Sequence, residues 1–184
     1  MENPVRNSWR LFPSAIKDDE VKNLIQFIEQ NYPEQEAETF NNASDDVRKS
    51  KIRFVDNLDI QGVLFGYVEN AAQCMGIHVN NRAVVQYTEY HGTDKGHYDW
   101  HHDIDWNRAD GYDRKLSVTV QLSSPDEYEG GDFEFCEIET PETTRSKLKG
   151  SVLVFPSYLQ HRVSPVTSGI RKSLVAWFEG PIWR

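Results

Sequence analysis

Hydrophobic and polar positions change rhythm once along this chain, near residue 76. Before that point the apolar spacing is helical. Val21, Leu24, Ile25 and Ile28 predict a helix that Asp18 or Asp19 caps and that stops near Asn31, ahead of Pro33. Val63, Leu64, Tyr67, Val68, Ala71 and Met75 predict a second helix from about Asp59, closed by Gly76. Residues 1–17 read as an extended lead-in anchored by Trp9 and Phe12, residues 34–50 as a polar loop, and Ile52–Val55 as a short strand. From Ile77 onward, short β-rich segments replace the helical rhythm. They are Arg82–Tyr90, Tyr98–Ile104, Leu116–Leu122, Asp132–Phe135, Ser151–Phe155, Gln160–Val163 and Arg171–Trp177. Turn residues separate them, among them Asp110-Gly111, Gly130-Gly131, Pro141, Pro156 and Ser168-Gly169. Many short strands at this spacing predict an antiparallel sandwich or barrel, with the helices packed outside one sheet. No linker interrupts the pattern, so residues 1–184 are expected to form one domain: 1–76 as helical support and 77–184 as β core.

Composition narrows the function classes. The 184 residues carry 20 Lys and Arg against 29 Asp and Glu, a formal net charge of −9. That balance argues against a surface built to hold a phosphate backbone, so no nucleic-acid partner is expected. No apolar run is long enough for a membrane span, and residues 1–20 lack the apolar core of a secretory signal. Cys74 and Cys136 share no short metal or redox motif and read as free thiols, consistent with a cytoplasmic location.

The chemistry is concentrated in the β half. His101 and Asp103 lie two apart in YDWHHDID, so on a strand they share one face while His102 points to the other. In a jelly roll, a later strand carrying His161 can meet that face. Two imidazoles and a carboxylate then hold a divalent metal on one side and leave the opposite positions open. The alternative for His101 and Asp103 is a surface pair or a structural hydrogen bond. Arg171 opens the apolar strand that runs to Phe178, where a charge needs an anionic partner; a small dicarboxylate bound at the metal would supply one. The alternative is a surface arginine. Ser173 shares the parity of Arg171 and adds a hydroxyl donor, and Tyr90 offers a phenol from a neighbouring strand or is an ordinary core tyrosine.

Taken in order, VVQYTEYHGTDKGHYDWHHD, RKLSVTVQLSSPDEYEGGDFEF and KGSVLVFPSYLQHRVSPVTSGIRKSLVAWF resemble the Fe(II)- and 2-oxoglutarate-dependent oxygenases, prolyl 4-hydroxylase-like branch. The resemblance runs from about Ala83 to Phe178. It implies a double-stranded β-helix, with His101, Asp103 and His161 as iron ligands and Arg171, helped by Tyr90, holding the far carboxylate of 2-oxoglutarate. Tyr98 would border the site. Gln121 stands where relatives often carry a tyrosine that touches the cosubstrate, and it shares a strand face with Ser117 and Thr119. The implied requirements are Fe(II), 2-oxoglutarate and O2, with ascorbate as a candidate reductant. An aspartate at position 103, rather than a small residue, favours hydroxylation over halogenation. Trp177 stands where nucleic-acid demethylases carry a second arginine.

The loop 104–114, with Asp105, Trp106, Asp110, Tyr112 and Asp113, and the turn with Asp126, Glu127 and Glu129, read either as solvated charges or as an acidic, aromatic rim. Such a rim would suit a peptide or a cationic small molecule. Hydroxylation of a peptidyl substrate, prolyl included, is the first expectation, and of a free amino acid or small metabolite the second. A cupin-like binding module without catalysis is the alternative of another class.

Overall fold

The computed structural model describes residues 7–37 and 47–183. Its strands are β1 (Arg10–Phe12), β2 (Gln35–Glu36), β3 (Arg48–Lys49), β4 (Lys51–Phe54), β5 (Ala83–His91), β6 (His97–His101), β7 (Tyr112–Gln121), β8 (Tyr128–Gly130), β9 (Phe133–Phe135), β10 (Val152–Pro156), β11 (His161–Val163) and β12 (Val166–Pro181). The helices are α1 (Asp18–Asn31), α2 (Leu58–Met75) and a single turn, α3 (Thr143–Ser146). Eight strands form one sheet, β1-β10-β7-β12-β5-β4-β2 with β8 added along β12, and four form a second, β3-β6-β11-β9. All of the paired strands run antiparallel.

Strand alternation divides the labour of the large sheet. Val85 and Tyr87 on β5, Leu116, Val118 and Val120 on β7, and Leu174, Ala176 and Phe178 on β12 join Val21 and Ile28 of α1 and Leu64, Val68 and Ala71 of α2 in one apolar core. Burying each Val, Leu, Ile or Phe side chain among them contributes roughly 1.5–3 kcal/mol. The intervening residues of the same strands take the other parity: Gln86, Thr88 and Tyr90, Ser117, Thr119 and Gln121, and Arg171, Ser173 and Trp177. One face of the sheet therefore holds the helices, and the polar residues sit on the opposite face.

Local chemistry explains the helix ends. Asn57 caps α2, its Oδ1 accepting from the N–H groups of Asp59 and Ile60, both at 3.0 Å. Gly76 ends it at φ +67°, a left-handed conformation that glycine adopts without strain. The cap of α1 is Lys17 rather than Asp18 or Asp19; its N–H donates to Glu20 Oε2 at 3.0 Å, and the aspartates fall in the first turn. Val63, expected on the buried stripe of α2, is exposed, while Leu64, Val68, Ala71 and Ala72 are buried.

Other departures come from long-range pairing. The expected polar loop contains β2, paired with β4, and β3, paired with β6; its residues 38–46 lie outside the described residues. So do residues 1–6 of the lead-in, whose Arg10–Phe12 pairs with β10. The strand expected over 98–104 ends at His101. The turn expected at Ser168-Gly169 is part of β12, where both residues pair with β8. Cys74 and Cys136 are exposed free thiols. Among the described residues no helix is long and apolar enough to cross a membrane.

Candidate active site

Strand register brings two histidines face to face. His161, the first residue of β11, pairs with His101, the last of β6, and their rings lie 4.3 Å apart. Asp103 sits two residues beyond the strand, so pleat parity does not place it. Instead its N–H donates to Ser157 O at 3.0 Å, and its Oδ2 accepts from Ser117 Oγ at 2.6 Å. The carboxylate then stands 3.6 Å (Oδ1) from His101 Nε2 and 3.5 Å (Oδ2) from His161 Nε2. One ligand atom from each of the three residues falls within 4.8 Å of the others.

The protonation pattern fits a cation. The Nδ1 of His101 lies 2.7 Å from Asp99 O, and that of His161 lies 2.8 Å from Leu159 O. A carbonyl only accepts, so each Nδ1 is assigned the proton, which leaves each Nε2 as the nitrogen facing Asp103. Burial pushes the His161 imidazole down to about 4, although Asp103 pulls the other way, so the ring is neutral near pH 7. Burial would raise the Asp103 carboxyl, but the adjoining imidazoles and the Ser117 hydroxyl outweigh it and hold the group below the usual carboxylate range. Two imidazole Nε2 atoms facing a buried carboxylate at these distances are a set that could hold a divalent metal, with both Nδ1 atoms oriented by backbone carbonyls. Tyr98 stacks on His101 at 3.4 Å, and Phe133 and Phe155 pack on His161 at 5.4 and 4.7 Å.

Arg171 lines the same cavity as these three residues, as do Tyr90, Tyr98 and Ser173. It is 4% exposed, lies opposite Tyr90 in the β12–β5 register, and its Cζ is 5.6 Å from the Tyr90 ring centre. Gly131 permits this course: a Cβ there would meet Arg171 Cδ at 2.9 Å, and its φ is +62°. Gln121 is turned to other work. Its Nε2 donates to Ser123 O and Tyr128 Oη, both at 3.0 Å, which occupies both amide hydrogens and leaves only an acceptor.

A groove of about 600 Å³ opens beside Asp103 and Tyr98. None of the acids of the 104–114 loop lines it, which accords with reading them as solvated charges rather than as a rim. Arg48, Arg114 and Trp177 line it together with Glu36. The acids of the 104–114 loop are engaged elsewhere: Asp105 accepts from Asn107 N, Asp110 from Arg108 and Asp113 from Trp183 N. His102, whose Nδ1 lies 2.7 Å from Tyr158 O, also borders the groove. The support that Ser117 gives Asp103 was not legible in the sequence, although the strand parity of Ser117 with Thr119 was. Nor was Arg48, whose position depends on the β3–β6 pairing.

The chain matches the sequence profile of the 2OG-Fe(II) oxygenase superfamily over residues 85–179. A PKHD-type hydroxylase of Hyphomonas neptunium is 48% identical over 69 residues, 36% of this chain and 30% of that protein. One from Verminephrobacter eiseniae is 33% identical over 125 residues, 65% of this chain and 54% of that protein. The matched part of the chain thus spans between about a third and half of the length of these relatives. Among solved structures, a Pseudomonas putida prolyl 4-hydroxylase superposes with a TM-score of 0.70 at 18% identity, covering 94% of this chain and 93% of that one. A prolyl hydroxylase from Trichoplax adhaerens, solved in complex with a hypoxia inducible factor peptide fragment, gives 0.69 at 16% identity, covering 94% and 83%. The fold is that of these enzymes, and with the profile match spanning just over half its length, the chain belongs to the 2OG-Fe(II) oxygenase superfamily.

Proposed function

We propose that this protein is a dioxygenase that hydroxylates a C–H bond of a peptidyl substrate, prolyl among the candidates. The observation that carries the reading is the convergence of His101, Asp103 and His161 in a cavity that Arg171 also lines. His101, Asp103 and His161 would hold Fe(II). Arg171 would pair with the far carboxylate of 2-oxoglutarate, with Tyr90 and Ser173 beside it. The two facing sheets then act as a double-stranded β-helix in a single domain. When bound, Fe(II) and 2-oxoglutarate supply the oxidising chemistry, in which O2 is consumed, succinate and CO2 leave, and one oxygen atom enters the substrate.

The protein's own residues prepare that chemistry. The carbonyls of Asp99 and Leu159 fix the imidazole tautomers, and Ser117 fixes the carboxylate rotamer. Phe133, Phe155 and Val163 line the cavity and exclude water. A peptidyl substrate is supported by the groove's size and by the peptide held in the Trichoplax structure. A free amino acid or other small metabolite is the second substrate class.

Succinate release from 2-oxoglutarate, screened against peptides and amino acids, tests the reading. His101→Ala and His161→Ala are expected to abolish it. Arg171→Ala is expected to raise the 2-oxoglutarate requirement about tenfold to a hundredfold, since a hydrogen bond to a charged group contributes roughly 1.5–3 kcal/mol. Mn(II) affinity should stay nearly unchanged in that variant; a collapse of metal affinity would make Arg171 a structural residue.

A further inference from the structure

Three polar side chains of β7 share the face opposite the helices, and two of them are engaged within the protein. Ser117 Oγ donates to Asp103 Oδ2 and lies 3.0 Å from Ser157 Oγ. Gln121 spends both amide hydrogens, on Ser123 O and Tyr128 Oη. Thr119 stands between them, and its hydroxyl has no hydrogen-bond partner among the described residues. Strand register explains why. The residues directly opposite are Val175 on β12 and Leu153 on β10, and neither side chain can donate or accept. A partly buried hydroxyl flanked in this way is satisfied from the cavity, by water or by a ligand.

Position along the strand selects the ligand. Thr119 lines the cavity of the three candidate iron ligands and a smaller one of about 20 Å³ next to it, and Arg171 lines both as well. Ser117 marks the metal end, because its hydroxyl holds Asp103. Thr119 is two residues further along β7, a rise of about 6.8 Å. Arg171 enters from further still: Ser173 lies opposite Gln121, and Arg171 is two residues beyond Ser173. A diacid chelating the metal at one end would run along this line toward Arg171 and pass Thr119. A guanidinium takes two lone pairs of a carboxylate through parallel hydrogen bonds and leaves the others open to a further donor.

We propose that Thr119 Oγ1–H donates to the far carboxylate of 2-oxoglutarate beside Arg171, so that Thr119, and not Gln121, is the β7 residue that recognises the cosubstrate. Thr119 then sets the preference for a dicarboxylate over a 2-oxo acid with an uncharged end. The inference rests on the iron and 2-oxoglutarate reading of the centre.

The test is calorimetric titration of the full chain loaded with Mn(II), without O2, so that binding is read apart from turnover. The two titrants are 2-oxoglutarate and 2-oxopentanoate, which keeps the chelating end and the five carbons but ends in a methyl group. Thr119→Val keeps the branched shape and removes the hydroxyl. Its dissociation constant for 2-oxoglutarate should rise about tenfold to a hundredfold, the range for one hydrogen bond to a charged group. Its dissociation constant for 2-oxopentanoate, and its Mn(II) affinity read by EPR, should stay as in the unaltered protein. Thr119→Ser, which keeps the hydroxyl, should bind 2-oxoglutarate as the unaltered protein does. Unchanged 2-oxoglutarate affinity in Thr119→Val, equal weakening of both titrants, or a loss in Thr119→Ser as large as in Thr119→Val would each overturn the inference. Failure of the underlying reading looks different: the unaltered protein then binds no Mn(II), or binds Mn(II) without 2-oxoglutarate.

Discussion

Ser117 and His161 show how single side chains set the state of the centre. Ser117 Oγ donates to Asp103 Oδ2 at 2.6 Å from inside the large sheet, where both residues are buried. Ser117→Ala should leave one carboxylate lone pair without its donor. The expected outcome is a loss of about 1–3 kcal/mol of stability and a tenfold to hundredfold drop in Mn(II) affinity, roughly the range for a residue that orients a ligand. Mn(II) titration by EPR checks it. For His161 the direction is set by burial, which pushes the folded-state pKa down to about 4 from the ordinary imidazole value of 6.5. Between these values the unfolded chain binds the proton and the folded one does not. Stability of the metal-free protein therefore falls as pH drops from about 6.5 to 4, by about 3 kcal/mol from this residue. Thermal melts across that window check it, and His161→Gln should flatten the slope.

At the scale of elements, the sequence shows most where one strand serves two faces. In RKSLVAWF the residues Leu174, Ala176 and Phe178 read as core. Arg171 and Ser173, placed on the other parity where that apolar strand opens, were visible as chemistry. The same alternation made Ser117, Thr119 and Gln121 a common face, but nothing in the spacing showed that Gln121 would spend its donors on Ser123 and Tyr128. Asp103 was legible by its offset from His101, although a loop and not a strand positions it. β3 was not legible: two polar residues become a strand only because β6 lies beside them, and that pairing carries Arg48 to the groove. Caps divide the same way, Asn57 and Gly76 bounding α2 through local chemistry. Asn57→Ala removes the acceptor for Asp59 N–H and Ile60 N–H and should cost about 1 kcal/mol, a fall of about 2–4 °C in melting temperature. Since α2 packs on the face away from the cavity, 2-oxoglutarate turnover below that temperature should be unchanged.

Across the whole molecule, the two sheets meet at the centre: β6 and β11 of the small sheet supply the imidazoles, while β7 and β12 of the large one supply Ser117 and Arg171. A ligand bound between them ties the sheets together and stabilises only the folded state. Mn(II) at about a hundred times its dissociation constant should add roughly 2.7 kcal/mol, and 2-oxoglutarate at the same excess about as much again, seen as a rise in melting temperature that His161→Ala abolishes. The most direct measurement of the central claim is an anaerobic titration with Fe(II) and 2-oxoglutarate, followed by visible absorption. One iron per chain should produce a weak charge-transfer band that disappears in His101→Ala and in His161→Ala. No band in the unaltered protein, or an undiminished band in either variant, would contradict the assignment of these three side chains to a single iron.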